Sequence, residues 1–245
     1  MGVGELQVTE TLALLGFGST GWGDEILSGV GVTIALALAT LPVGLTIGFF
    51  VALGKQSEEK TIRLAANIYT TIFRGLPELL TLFIVFYGAQ IGIQAVYAWI
   101  VGSEAIIEVN AFVSGMIALG VVFSSYASEV FLSAFRAIPK GQYEGGWSIG
   151  LSGWNTMRLI ILPQLIKIAL PGLANLWLIL LKDTALVSAV GLSDILRQTG
   201  IAARVTKHAF LFFGTACMVY LVLAIISSYF INRISDWASK SEAAR

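Results

Sequence analysis

Five long hydrophobic segments alternate with short polar segments along the chain. Each exceeds the roughly 20 residues that an α-helix needs to cross the hydrocarbon core of a membrane. The pattern therefore predicts an all-α, polytopic transmembrane helical bundle, a single domain over residues 1–245 with about five spans. The spans are predicted at residues 26–54, 68–100, 111–135, 168–191 and 209–234.

Lysine and arginine are unevenly divided between the two ends of the predicted spans. Basic residues concentrate in the cytoplasmic segments of membrane proteins, so their distribution indicates orientation. With five spans, nine basic residues flank one side and three flank the other, which predicts a periplasmic N-terminus and a cytoplasmic C-terminus. The nine are Lys55, Lys60, Arg63, Arg136, Lys140, Arg158, Arg233, Lys240 and Arg245, and the three are Arg197, Arg204 and Lys207.

Composition supports the membrane assignment. Hydrophobic residues make up 56% of the 245 positions and charged residues only 12%, about half the charged share of a soluble domain. The net charge of zero gives no indication of a nucleic-acid partner. Before the first span the charges are Glu5 and Glu10, without the basic region of a cleaved signal peptide, so we expect this span to remain as an anchor.

The segment between the third and fourth spans, residues 136–163, carries the most specific motif. It contains Glu144-Gly145-Gly146, then Gly150 after three residues, Ile160 after nine more, and Leu162-Pro163 after one more. This spacing resembles the EAA loop of bacterial ATP-binding-cassette (ABC) importer permeases, which has Ala-Ala where this chain has two glycines. Small residues on one helix face allow close approach to a partner, glycine permits a turn, and we expect proline to end the following segment. The resemblance implies that the segment couples the chain to an ATPase.

Three further segments extend the resemblance over nearly the whole chain. They are residues 73–80 (FRGLPELL), residues 126–141 (containing YASE and IPKG) and residues 181–188 (LKDTALVS). They are similar to polar amino acid permeases of the histidine, arginine and opine branch, and most similar to the Q-type subunit. The resemblance implies a type I ABC importer permease fold and transport of polar or basic amino acids, or opines, across the bacterial inner membrane. The cargo stays open among opines, arginine, ornithine, lysine, histidine and glutamine.

The resemblance also implies the partners. They are a homologous M-type permease subunit, a dimer of ATPase subunits and a periplasmic amino acid-binding protein, and either permease could hold the transmembrane substrate site. The sequence contains no Gly followed by four residues and Gly-Lys-Ser/Thr, the loop that cradles nucleotide phosphates. We therefore expect no cofactor in this chain, with ATP bound by the partner ATPase subunits.

Charged residues inside the predicted spans are candidates for the substrate path. A charge at mid-bilayer costs roughly 2.5–3.5 kcal/mol on insertion scales, so such residues usually face a cavity or a partner. A dipolar amino acid suits a passage lined by both signs of charge. The alternative is that Lys182 and Asp183, and Arg74 and Glu78, only neutralise partners within the bundle. The candidates are Glu129, Lys182, Asp183, Arg74 and Glu78. Many relatives have an arginine three positions after the glutamate that corresponds to Glu129, where this chain has Leu132. A role carried by that arginine therefore does not transfer to this chain.

Two other classes of protein are weaker interpretations. A stand-alone secondary transporter or channel would leave the 136–163 motif without a purpose. An intramembrane hydrolase would use Ser152 in a Gly-x-Ser-Gly motif, but Ser152 and His208, the one histidine, are predicted on opposite faces of the bilayer, about 30 Å apart. The sequence therefore predicts a transport subunit that is not an enzyme, without catalytic or metal-binding residues.

Overall fold

The computed structural model describes residues 13–18, 20–102 and 110–243, with side chains described as far as residue 236. Arg245, one of the basic residues used above for orientation, lies outside them. The described residues form helices joined by short connections, and no strand occurs among them. The α-helices are α1 (Gly23–Gln56), α2 (Lys60–Gly75), α3 (Glu78–Val101), α4 (Ala111–Ala137), α5 (Lys140–Ser148), α6 (Gly153–Thr156), α7 (Leu162–Asp183), α8 (Ile195–Thr206) and α9 (Ala209–Ala243), with a π-helical turn at Met157–Ile161 and a 3₁₀ segment at Thr184–Val190.

Five helical segments are long and apolar enough to cross a membrane, as predicted. They are Gly23–Gln56, Glu78–Val101, Ala111–Ala137, Gly153–Val190 and Ala209–Asp236. The second begins at Glu78 rather than at residue 68, because Pro77 has no backbone N–H and disfavours helix in the residue before it. Helix α2 therefore ends at Gly75, and residues 68–75 belong to a separate helix.

The segment 136–163 is largely helical, and it includes a short helix over the glycines of the predicted coupling motif. Helix α5, helix α6 and the π-helical turn occupy most of it, and the helical run of the fourth span begins at Gly153, not at residue 168. The expectation that proline ends a segment here is wrong. Pro163 is the second residue of α7 and directly follows the π-helical turn, so the chain stays helical through the proline, whose missing N–H removes one hydrogen bond.

Helix α4 is the central element, and α1 packs along it at two glycines. A Cβ at Gly44 would lie 2.5 Å from the Phe123 ring, and one at Gly48 would lie 2.9 Å from the Ala127 Cβ. Such contacts are too close for any side chain, so the two glycines let the backbones of α1 and α4 approach. A small residue at every fourth position is a common basis of helix packing in membranes.

Candidate functional site

Three helices bring their charges together at the end of α1. Glu129 of α4 accepts from Lys55 Nζ at 2.5 Å and from Arg74 Nη1 at 3.0 Å, both through Oε1. Lys55 is buried, with 5% of its side chain exposed, whereas Glu129 is one-third exposed. One carboxylate thus faces two cations, which leaves the cluster with an excess positive charge.

This ionic cluster lines a polar cavity of about 460 Å³. The Arg74 guanidinium carbon lies 5.5 Å from the centre of the Tyr126 ring, within range of a cation–π interaction. Hydroxyl and amide groups complete the wall, so the cavity offers donors and acceptors as well as charge. The lining residues are Lys55, Asn67, Thr70, Thr71, Arg74, Gly75, Tyr126 and Glu129.

Arg74 and Glu78, four residues apart in the chain, have different partners. The chain breaks between α2 and α3 at Leu76 and Pro77, so the two side chains are not on one helix face. Arg74 pairs with Glu129 instead, while Glu78 interacts electrostatically with Asp183 at the end of α7. Arg74 therefore neutralises a partner within the bundle, and that partner is Glu129 rather than Glu78.

Lys182, Asp183 and Glu78 form a second charged group. Asp183 interacts with both neighbours, unfavourably with the Glu78 carboxylate and favourably with the Lys182 ammonium. The five predicted path residues thus divide between an Arg74–Glu129 cluster and a Glu78–Lys182–Asp183 group. Two acids and one base leave this second group with an excess negative charge, opposite in sign to the first.

Helix α5 carries Gly145 and Gly146 of the predicted coupling motif, and Gly150 follows its end. The three glycines differ in their surroundings. Gly145 is exposed, and a Cβ there would meet nothing within 4 Å. Gly146 is buried, and its Cβ would lie 2.7 Å from Thr156 Cγ2 and 3.1 Å from Ile160 Cδ1. Gly150 has φ +82°, a conformation that glycine adopts without penalty. Position 146 therefore faces the chain itself, while position 145 faces outward.

The rest of the motif builds the base of the fourth span. Ile160 lies in the π-helical turn, Leu162 N donates to Met157 O across that turn, and Pro163 follows. Ser152, the residue of the hydrolase interpretation, accepts from Asn155 N at 3.3 Å as the N-cap of α6. It therefore has a structural role at a helix start. Glu144 is exposed on the surface of α5.

Sequence reasoning missed Lys55 and two glutamines. Lys55 ends the first apolar run and matched an ordinary boundary lysine, which normally extends to the membrane surface. The Gln164 side chain donates to Ile160 O at 2.9 Å and to Gln142 Oε1 at 3.1 Å. Neither residue lies on a motif position, and nothing local in the sequence indicates the contact.

A buried aspartate lies where the connection between the last two spans packs against α1. Asp194 is fully buried and caps α8 by accepting from Arg197 N at 2.8 Å. Ile195 N donates to Thr33 Oγ1 at 3.4 Å, and a Cβ at Gly29 would lie 2.9 Å from the Asp194 carbonyl. Burial raises the pKa of Asp194 to about 6, although hydrogen bonds from backbone N–H groups and the Arg197 charge oppose the shift.

A model of the binding-protein-dependent transport system inner membrane component matches residues 44–238. The chain belongs to this family. The nopaline transport system permease protein of Agrobacterium fabrum is 38% identical over 229 residues, which are 94% of this chain and 97% of that protein. The histidine/lysine/arginine/ornithine transport system permease protein of Escherichia coli is 36% identical over 85% of this chain and 90% of its own length.

A solved structure shares the fold as well as the sequence similarity. The crystal structure of an amino acid ABC transporter with histidines has a TM-score of 0.73 and 29% identity, covering 96% of this chain and 99% of that one. The inward-facing methionine ABC transporter, at 17% identity and a TM-score of 0.68, shares the fold alone.

Family membership confirms the main predictions from sequence. The chain is a multi-pass inner-membrane permease subunit of an ABC importer with the type I permease fold, and it is a transport component rather than an enzyme. The relatives confirm the resemblance to Q-type subunits of the histidine, arginine and opine branch. Membership implies that the chain works with an ATPase and a binding protein.

Proposed function

We propose that this permease moves polar or basic amino acids, or opines, and pairs with an M-type permease subunit. Its relatives are permease proteins for nopaline, octopine, arginine and the group histidine, lysine, arginine and ornithine. All of these molecules carry carboxylate and cationic nitrogen groups. A path for them needs sites of both signs within the membrane.

The two charged groups supply those sites. The Arg74–Glu129 cluster, with Lys55, has more positive than negative charge and favours the substrate carboxylate. The Glu78–Lys182–Asp183 group has more negative charge and favours an ammonium or guanidinium. Ionised groups in low-dielectric surroundings interact more strongly than in water, so both groups can recognise a substrate that has left its hydration shell.

Helix α5 is the surface that docks on the ATPase. Glu144, Gly145 and Gly150 are exposed on this segment, and large apolar side chains are exposed beside them at Trp147 and Ile149. Exposed apolar residues flanking a short polar helix are typical of a protein interface. Ile160 lies beside Gly146 of α5 at the base of the fourth span, and Leu162 and Pro163 continue the chain from there into α7.

Nucleotide chemistry belongs to the partner. The chain has no phosphate-binding loop, so it binds and hydrolyses no ATP, and the energy reaches it through α5. The segments that carry the nine basic residues, together with α5, then lie in the cytoplasm. The N-terminus lies in the periplasm and the C-terminus in the cytoplasm.

The observation that carries this function is the position of the coupling motif. Its glutamate and first two glycines lie on the short helix α5, and its last three residues lie where the fourth span begins. Reconstitution into liposomes with the M-type subunit, the ATPase dimer and the binding protein tests it. We expect uptake of radiolabelled arginine or octopine that requires ATP and each partner. Uptake that persists without the ATPase would instead support a stand-alone transporter, and uptake of neither class of substrate would refute the substrate assignment.

A further inference from the structure

Helix α5 is fixed to the base of the fourth span by a contact with no free space. A Cβ at Gly146 would lie 2.7 Å from Thr156 Cγ2 and 2.8 Å from Thr156 Oγ1. Thr156 is buried, and its hydroxyl has no hydrogen-bond partner among the described residues, so the residue serves packing rather than polar bonding. Real Cβ atoms do not approach other heavy atoms this closely, and Thr156 is β-branched with a restricted rotamer.

A polar contact beside it joins the same two elements. Gln164 Nε2 of α7 donates both to Gln142 Oε1 of α5 and to Ile160 O of the π-helical turn. Pro163, which follows this turn, has no N–H to donate to the turn. The Gln164 side chain supplies a donor to one carbonyl of the turn, that of Ile160. One side chain therefore stabilises the irregular turn and connects it to α5.

The position of this contact gives it a consequence for transport. Helix α7 continues from the π-helical turn to Lys182 and Asp183, about 33 Å away along 22 residues at 1.5 Å each. A rigid connection at its base transmits a displacement of α5 to the charged group at its far end. Isolated π-helical turns inside α-helices occur frequently at functional sites.

We propose that Thr156, Gln142 and Gln164 are positioning residues that hold α5 and α7 as one body, here called the α5–α7 contact. The size limit at position 146 is then set by Thr156 of the same chain and not by the ATPase surface. This inference rests on the proposed function of α5 as the docking helix. It assigns a separate requirement to each glycine, since Gly145 faces the partner and Gly146 faces α6 and the π-helical turn that leads into α7.

A suppressor experiment tests the steric half of the contact. Gly146→Ala should lower the substrate transported per ATP hydrolysed about tenfold, because overpacking displaces α5 from the base of α7. Thr156→Ala removes the two nearest atoms and leaves Ile160 Cδ1, the end of a flexible side chain, at 3.1 Å, so the Gly146→Ala/Thr156→Ala pair should recover most of that ratio. If the pair is as defective as Gly146→Ala, position 146 is restricted by something other than Thr156, and the inference is wrong.

A double-mutant cycle tests the polar half. Gln142→Ala and Gln164→Ala should each lower the transport-to-ATPase ratio, and the double variant should be no worse than Gln164→Ala, because both changes remove the same bond. Gln164→Lys keeps a donor at this position and should retain the wild-type ratio. Gln56→Ala, an exposed glutamine at the end of α1, is the matched control and should be unaffected. Additive effects of Gln142→Ala and Gln164→Ala would refute the contact.

The same variants separate failure of this inference from failure of the proposed function. If the wild-type complex transports and the suppressor pair stays defective, the proposed function is retained and the α5–α7 contact is refuted. If wild-type complex does not transport, the melting temperature of the purified chain still decides the steric point. Gly146→Ala should lower that temperature and Thr156→Ala should restore it in the pair, whereas equal melting of Gly146→Ala and wild type would refute the contact.

Discussion

Lys55 Nζ lies 2.5 Å from Glu129 Oε1, although the two residues are 74 positions apart in the chain. Lys55 has almost no contact with solvent, and Glu129 retains one-third of its side-chain exposure. Among the residues that the structure describes, Glu129 is the one acidic group paired with Lys55, so its carboxylate is needed to compensate the Lys55 charge. The charge of Glu129 is compensated in two further ways, because Arg74 also donates to its carboxylate and solvent reaches it.

This asymmetry predicts unequal effects of removing the two partners. Glu129→Gln should destabilise the folded protein by about 2–3 kcal/mol, somewhat less than the loss for a fully buried pair, because an ammonium is left buried without its counter-charge. Lys55→Met should cost clearly less. Thermal unfolding in detergent measures both, with Glu58→Gln at an exposed position as the control. Equal destabilisation by the two changes would contradict the asymmetry.

The charged group at the far end of α7 should distinguish substrates by charge. Asp183→Asn and Glu78→Gln remove negative charge and should reduce uptake of arginine more than uptake of a neutral amino acid such as glutamine. Lys182→Met should not show this preference. Uptake and basal ATPase activity measured on the same purified complexes check the prediction, with Glu25→Gln as the control. Loss of the assembled complex in all three variants would indicate a structural role only.

The features that local sequence predicts are those that depend on local physics. Five spans follow from length and hydropathy, and the turn at Gly150 follows from a motif in which glycine permits a positive φ. Lys55 could not be assigned to Glu129, because that pair depends on how α1 packs on α4. The same limit applied to Gly146: the sequence indicated that a small residue was needed, and the structure shows that Thr156 and Ile160 are its immediate neighbours.

The orientation of the chain can be measured with two single cysteines in a Cys217→Ala background. Ser57 follows α1, and Ser193 is exposed in the connection before α8. Ser193→Cys should react with a membrane-impermeant maleimide added to intact spheroplasts, and Ser57→Cys should react only after the membrane is opened. Labelling of Ser57→Cys in intact spheroplasts would reverse the proposed topology.

Asp194 should make stability depend on pH in a direction opposite to that of an ion-paired carboxylate. Burial raises its pKa from 3.8 to about 6, so the folded state holds the proton more tightly than the unfolded state. The contribution to stability is full below pH 3.8 and is lost as the pH rises through 6. Since one pKa unit corresponds to about 1.4 kcal/mol, the loss by pH 8 is on the order of 3 kcal/mol.

The Asp194→Asn variant isolates this contribution. Asparagine keeps an oxygen that can accept from Arg197 N as the cap of α8, but it does not titrate. Wild-type melting temperature should therefore fall relative to that of Asp194→Asn between pH 4 and pH 8. Parallel curves for the two proteins across this range would show that Asp194 is not responsible. Asp24→Asn, an exposed carboxyl near the start of α1, should follow the wild-type curve.

The coupling role of α5 is tested most cleanly at Gly145. An arginine at Gly150 would also have to adopt φ +82°, which costs about 1–2 kcal/mol for a residue with a Cβ. A defect of that variant could then come from backbone strain as well as from a blocked contact with the ATPase. Gly145 is exposed and a Cβ there meets nothing within 4 Å, so an arginine fits the isolated chain. It would nevertheless project from the face that we propose docks on the ATPase.

Gly145→Arg should therefore insert and melt as wild type, yet abolish uptake and the stimulation of ATPase activity by the loaded binding protein. Gly145→Ala is the matched control, because a methyl group fits the same space and matches the alanine of the family pattern. It should transport normally. Co-purification with the ATPase subunit identifies the step that fails, and we expect it to be weakened for the arginine variant alone. Near-wild-type uptake by Gly145→Arg would show that this face of α5 does not contact the ATPase.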